Sequence, residues 1–228
     1  MLLPWLEHAR TVLWAWFPGQ ECGHALGDVL AGRTEPSGRL PWTLPARAED
    51  VPVPHALPDA DMRVIYTDGV HVGYRGWERS GATPAAAFGF GLGWTTWSYD
   101  AVRLVRTPDG GAEFEVTVTN SGDRVGSEVV QAYVTSTAEL PNGVDRPVRW
   151  LAGFARVTAE PGETVAATVV VSRRTLEVWH DGSWLLPAGD YEFEFGRSIR
   201  DPRLSLGHRL PPLSGEEIGS VGEVRRPD

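Results

Sequence analysis

Glu113-Phe114-Glu115-Val116-Thr117-Val118-Thr119, stopped at once by Asn120-Ser121-Gly122-Asp123, is the stretch on which the reading of this chain turns. Phe114, Val116 and Val118 alternate with charged and hydroxyl side chains, and a period of two is what a strand buried on one face requires. The Asn-Ser-Gly-Asp run that ends it is turn chemistry. Three further stretches share the pattern: Val130, Ala132 and Val134; Val165, Ala167, Val169 and Val171; and Tyr191, Phe193 and Phe195 with Glu192 and Glu194 between them. Shorter strand signals at residues 102–105 and 148–154 bring the stretches to six, and with the turns between them the expectation is a seven-strand antiparallel sandwich over residues 99–207. Residues 208–228 are expected to form a flexible tail. The fold class read from the sequence is mainly β.

The front of the chain is of another kind. Val12-Leu13-Trp14-Ala15-Trp16-Phe17 is uninterruptedly apolar, the pattern of a parallel strand buried on both faces. Pro18-Gly19 follows, and then Cys22, Ala25, Leu26, Val29 and Leu30 recur at helical spacing within residues 20–30, with Gly32 placed as the stop. One strand and one helix cannot close a layered α/β core. Exposing Leu13, Trp14, Trp16 and Phe17 would forgo roughly 1.5 to 3 kcal/mol each, a total comparable with the roughly 5 to 15 kcal/mol that holds a domain together. Residues 1–45 are therefore expected to be the remnant of a larger α/β domain, an incomplete segment of one βα unit. Residues 46–98, rich in Pro and then in Tyr, Phe and Gly, read as an extended connector in which residues 66–77 and 88–99 are ordered loops.

The composition narrows the possible functions. Of 228 residues, 42% are hydrophobic and 22% charged, a globular balance. The net charge is −9, and all 21 basic residues are Arg, scattered singly or in pairs, which is no footprint for nucleic acid. A single cysteine, Cys22, excludes an internal disulfide framework and a cysteine metal cage. No segment approaches the roughly 20 apolar residues of a membrane span. The first twenty residues lack a basic start and carry Glu7, His8 and Arg10, so no signal peptide is read and a cytoplasmic product is expected from the sequence as written.

Longer motifs carry a resemblance. Val12–Glu21, continued by Ala25, Asp28-Val29-Leu30, Gly32 and Pro36-Ser37-Gly38-Arg39-Leu40-Pro41, resembles the end of the α/β sandwich domain of glycoside hydrolase family 3. Tyr66-Thr67-Asp68-Gly69-Val70-His71-Val72-Gly73-Tyr74-Arg75 is similar to that family's Tyr-x-Glu-Gly-x-x-Val-Gly-Tyr-Arg segment, with Asp68 in place of the usual Glu. Phe88-Gly89-Phe90-Gly91-Leu92-Gly93 resembles its Phe-Gly-His-Gly-Leu-Ser turn, with Phe90 in place of His. Val118–Asp123, Gly126–Gln131, Arg146-Pro147-Val148, Leu151–Phe154 and Pro161-Gly162-Glu163 resemble its fibronectin type III-like terminal domain. The resemblance runs from about residue 11 to 206. It implies an immunoglobulin- or fibronectin III-like sandwich and a parent enzyme of β-glucosidase type. It also implies that the nucleophile-bearing barrel and the acid/base Glu lie upstream of the matched region. No catalytic residue is therefore assigned to this chain, and the missing amino-terminal catalytic domains are its expected partner.

A search for substitute chemistry returns little. A retaining glycosidase holds two carboxyl groups about 5 Å apart, whereas Glu21 and Asp28 at i and i+7 stand about 10 Å apart along a helix. Asp59, Asp61, Asp68 and Glu78 lie in loops whose spacing does not oblige them to converge. The six His residues never fall at i, i+3 or i+4 of one another, and neither metal nor cofactor is expected. Gly89–Gly93 lacks dinucleotide-binding spacing. Of the ten Trp residues, Trp42 and Trp77 in irregular chain are the candidates for a sugar-stacking surface. A free-standing module binding carbohydrate or protein is the rival reading to a piece of a hydrolase.

Overall fold

The computed structural model describes residue 5, residues 8–52 and residues 57–211. Nine strands form: β1 Trp97–Arg106, β2 Ala112–Asn120, β3 Gly126–Ser136, β4 Trp150–Ala159, β5 Thr164–Val171, β6 Val178–His180, β7 Ser183–Leu185, β8 Gly189–Gly196 and β9 Pro202–Leu210. One sheet has the order β1-β2-β5 and the other β4-β3-β8-β9, all antiparallel, while β6 and β7 make a separate hairpin. The two sheets together supply the seven strands of a sandwich.

The alternation read from the sequence is what fills its core. Along β2 burial switches at every residue, so Phe114, Val116 and Val118 face the opposite sheet with no exposed surface. They meet Val130, Ala132 and Val134 of β3, and Phe114 lies 4.7 Å from Phe193 and 5.0 Å from Phe195, ring centre to ring centre. Tilted and edge-on pairs at this spacing suit the ring quadrupoles.

Three details depart from the sequence reading. The strand β9 continues to Leu210, because Asp190, Tyr191 and Gly189 of β8 pair with Arg209, His208 and Leu210; the rest of the expected tail, residues 212–228, lies outside the described residues. Residues 74–80 are a helix, not loop: α1 spans Cys22–Leu30 and α2 spans Tyr74–Ser80. Gly73 and Gly81, at φ +59° and +71°, bound α2 at either end. Inside it, a Cβ on Gly76 would come within 2.7 Å of the His71 carbonyl, so the glycines fix a close-packed helix.

The third departure is at the front. Residues 12–17 form no strand, and Phe17 is 99% exposed, with Trp16 at 47%. A parallel strand is held by ladder bonds to neighbours, and no neighbour pairs with it among the described residues. The helix α1 does form over the expected stretch, but none of its residues is buried. An incomplete α/β segment thus precedes the β-sandwich.

Candidate functional site: a buried clamp between connector and sandwich

Backbone bonds first lace residues 40–44 of the front segment to residues 86–90 of the connector, and the connector to the turn between β8 and β9. Leu40 N–H donates to Phe90 at 2.8 Å, Gly89 N–H donates back to Leu40 at 2.8 Å, and Leu44 bridges Ala86. Ile199 N–H donates to the Phe88 carbonyl at 3.3 Å. Tyr74 stacks on Phe88 at 4.3 Å, Phe88 meets Tyr133 edge-on, and the Tyr74 hydroxyl accepts the Leu151 N–H at 2.9 Å. Ala87, Tyr133 and Ile199 make a second, small apolar core under this lacing.

Charged side chains then lock it. Glu35 accepts the Trp94 N–H at 2.9 Å and the Ser127 N–H at 2.6 Å, one on each carboxylate oxygen. Arg39 donates to Glu128 at 2.7 Å in a site where the two side chains are only 9% and 1% exposed, and Arg197 stands 3.7 Å from the other Glu128 oxygen. Tyr99 belongs to the same pocket of charge. Burial first, and the Glu128 carboxylate second, push its phenol far up from its ordinary value. A second ionic group joins Glu78 of α2 to Arg149 at 2.6 Å and to Arg200 at 3.0 Å, while Arg149 also reaches Glu194 of β8 at 2.6 Å. A third contact is His71 with Asp145 at 2.9 Å; this hydrogen bond, followed by the Arg146 N–H, holds the Asp145 carboxyl below its usual range.

This arrangement has the chemistry of a structural clamp. Each carboxylate named is paired with a guanidinium or an imidazole or accepts N–H donors, so each is engaged in holding one chain segment to another. Of the acids suspected from sequence, Glu78 is engaged by two arginines, and Asp59 and Asp61 are tied to Arg63 in a local turn. Glu21 pairs with His24 and Asp28 with Arg33, both at the surface. Among the described residues no group of three His, Cys, Asp or Glu side chains comes together as a metal set. No helix among them is long and apolar enough to cross a membrane.

The two aromatic candidates part company. Trp77 sits on α2 and is 5% exposed, so its indole offers no face to a sugar; a residue read as loop lies inside a packed helix. Trp42 is 58% exposed, between buried Thr43 and Leu44 on one side and open surface on the other. The sequence had not singled out Trp179 and Trp184 as a surface, yet they pair across the β6–β7 hairpin at 5.1 Å, with Arg174 3.4 Å over the Trp184 ring. A cavity of about 430 Å³, lined by Thr135, Asp190, Tyr191, Glu192, His208 and Arg209, opens beside β8 and β9.

Comparison with known proteins places these features in context. Residues 1–74 match the glycosyl hydrolase family 3 C-terminal domain, and residues 128–199 match a fibronectin type III-like domain. A β-glucosidase of Rhizobium radiobacter is 41% identical over 218 residues, covering 92% of this chain and 26% of that protein. β-Glucosidase B of Emericella nidulans is 39% identical over 213 residues, covering 87% and 25%. Among solved structures, DesR, a β-glucosidase from Streptomyces venezuelae in complex with D-glucose, superposes with a TM-score of 0.84 at 35% identity, covering 92% of this chain and 27% of that one. The Bifidobacterium adolescentis GH3 β-glucosidase gives 0.81 at 34% identity, covering 93% and 32%. The chain therefore spans about a quarter of the length of the curated relatives it matches.

Proposed function

We propose that this chain, which belongs to glycosyl hydrolase family 3 as its carboxy-terminal part, supports the catalytic body of a β-glucosidase-like enzyme and does not hydrolyse glycosides by itself. The observation that carries this reading is the apolar front. Trp16 and Phe17 are exposed, α1 buries none of its residues, and both belong to the stretch matched to the glycosyl hydrolase family 3 C-terminal domain. The clamp supports it from the other side, since its buried carboxylates are engaged by arginines that hold chain segments together. The substrate bond, an O-glycosyl linkage to glucose or a similar sugar, would be cleaved by carboxyl groups in the portion that the relatives possess and this sequence does not span.

The purified 228-residue chain, incubated with aryl β-glucosides and β-xylosides, is expected to release aglycone no faster than buffer. Turnover that survives chromatography to homogeneity overturns the supporting role.

The exposed indole of Trp42 favours one rival, a carbohydrate-binding module. Titration with a soluble β-glucan separates the two. The supporting role predicts unchanged tryptophan fluorescence, whereas saturable quenching at micromolar ligand that Trp42→Ala abolishes would favour the module.

A further inference from the structure

The geometry points to a modification site at Asn142-Gly143, where the chain converts its own asparagine to aspartate and isoaspartate through attack by the Gly143 main-chain nitrogen. The sequence holds two asparagines, and the fold treats them oppositely. Asn120 ends β2 with no exposed surface. Its side-chain N–H groups donate to the Arg124 and Ala159 carbonyls at 2.7 and 2.9 Å, and its side-chain oxygen accepts the Thr95 hydroxyl at 2.6 Å and the Gly122 N–H at 3.2 Å. Both donors and both lone pairs of that amide are in use, so turning it toward the Ser121 nitrogen breaks buried hydrogen bonds. The Ser121 N–H is itself donated to the Thr96 carbonyl at 2.9 Å.

Asn142 stands in the loop between β3 and β4, in a turn closed by one backbone bond, from the Val144 N–H to the Pro141 carbonyl at 3.1 Å. Asn142 and Gly143 are both exposed, and neither the Asn142 amide nor the Gly143 N–H has a hydrogen-bond partner among the described residues. Gly143 has φ +78°, and no atom lies within 4 Å of where a Cβ would stand, so no other part of the chain crowds its nitrogen. A turn held by one surface bond opens at little cost, which lets Asn142 rotate into line. The step needs water alone. Hydroxide takes the proton of the Gly143 nitrogen, which bonds to the Asn142 Cγ; the Cγ–Nδ2 bond breaks and ammonia leaves with a proton from water, closing a five-membered succinimide. Water then opens the ring at Cγ to give aspartate, or at the main-chain carbonyl to give isoaspartate with one extra carbon in the backbone. Either product sets a new carboxylate three residues before Asp145, the partner of buried His71.

The test holds the full 228-residue chain at pH 8 and 37 °C and follows its two asparagine-containing peptides by mass spectrometry, conversion adding about one dalton. Asn142 is expected to convert about tenfold faster than Asn120 and to yield both aspartate and isoaspartate. A ratio of threefold or more with isoaspartate present upholds the inference, and a smaller ratio overturns it. Aspartate as the sole product also overturns it, because direct hydrolysis of the side chain makes no use of the Gly143 nitrogen. A parallel incubation in urea separates fold from local sequence. Unfolding frees the Asn120 amide, so its rate is expected to rise about fivefold; a rise of threefold or more upholds the inference, and a smaller one overturns it, since the contrast between the two sites would then owe nothing to the structure.

Discussion

Arg39 matters less for the energy of its ion pair than for what its removal leaves behind. Glu128 is 1% exposed, and a buried carboxylate stripped of its partner costs about 3 to 5 kcal/mol, while replacing both charges by apolar groups is close to neutral. Because Arg197 at 3.7 Å keeps part of the pairing, Arg39→Met is expected to lower unfolding stability by at most about 3 to 5 kcal/mol, and Arg39→Met/Glu128→Leu to recover most of the loss; paired urea titrations give the coupling directly. Tyr99 behaves oppositely. Its hydroxyl is buried with no hydrogen-bond partner among the described residues, so Tyr99→Phe should be neutral or stabilising at pH 7. Its folded pKa is raised, chiefly by burial, as are those of Tyr133 and Tyr191. The sign follows: the neutral phenol is favoured by folding, the benefit is complete below the ordinary phenol value of about 10, and it drains away as pH rises beyond that. The urea midpoint should fall between about pH 9.5 and 11.5, and less steeply in Tyr99→Phe. None of these pairings could be read along the chain. Arg39 and Glu128 are 89 residues apart and Glu78 and Arg149 are 71 apart, so only the completed fold brings them together.

The strands were legible because burial on one face writes itself every second residue, and β2 obeys that rule without exception. The strand β9 obeys the same rule, Leu204, Leu206 and Leu210 alternating with Arg203, Ser205, Gly207 and Arg209, and its last residues read as tail because His208 interrupts the apolar face. The helix α2 was hidden by its glycines, which signal turns locally but here bound and pack a helix. Gly89 is the same kind of residue put to a different use. At φ +81°, a Cβ on it would lie 2.0 Å from the Gln131 side-chain oxygen, and that amide is tied to the Gly89 and Arg197 carbonyls and to Tyr133. Gly89→Ala is expected to cost about 1 to 3 kcal/mol by strain and overpacking, and to loosen the connector ahead of the sandwich in limited proteolysis. The latch between His71 and Asp145 adds a pH dependence of opposite sense to that of the tyrosines. Asp145 is lowered by its hydrogen bond from His71, so its contribution is present above the ordinary carboxylate value of about 4 and is lost as pH falls through the lower folded value. Asp145→Asn should flatten the acid limb of the stability curve below about pH 4 and lower the plateau above it, because the contribution lost on protonation is the one the plateau contains.

At the scale of the molecule the sandwich closes its own core, whereas the front is built for surroundings it does not itself provide. Phe114, Phe193 and Phe195 have no exposed surface, whereas Phe17 is 99% exposed and α1 buries nothing. Stability should be distributed accordingly, because amides open locally with a free energy set by the packing around them. In native-state hydrogen exchange of the isolated chain, β2, β3 and β8 are expected to exchange only by global unfolding. Leu40 and Leu44 of the front segment and Gly89 of the connector should open at an intermediate cost, since they are held by the clamp and not by the main core. Amides of residues 12–30 should exchange within about tenfold of an unfolded peptide. Protection of that stretch equal to the strands, in a chain sedimenting as a monomer, would mean that the front is satisfied on its own, and the case for a larger body around it would fail. If the expected gradient is found, adding the amino-terminal portion of a relative should raise protection first at residues 12–30 and leave β2 unchanged, because the front gains neighbours and the sandwich core does not.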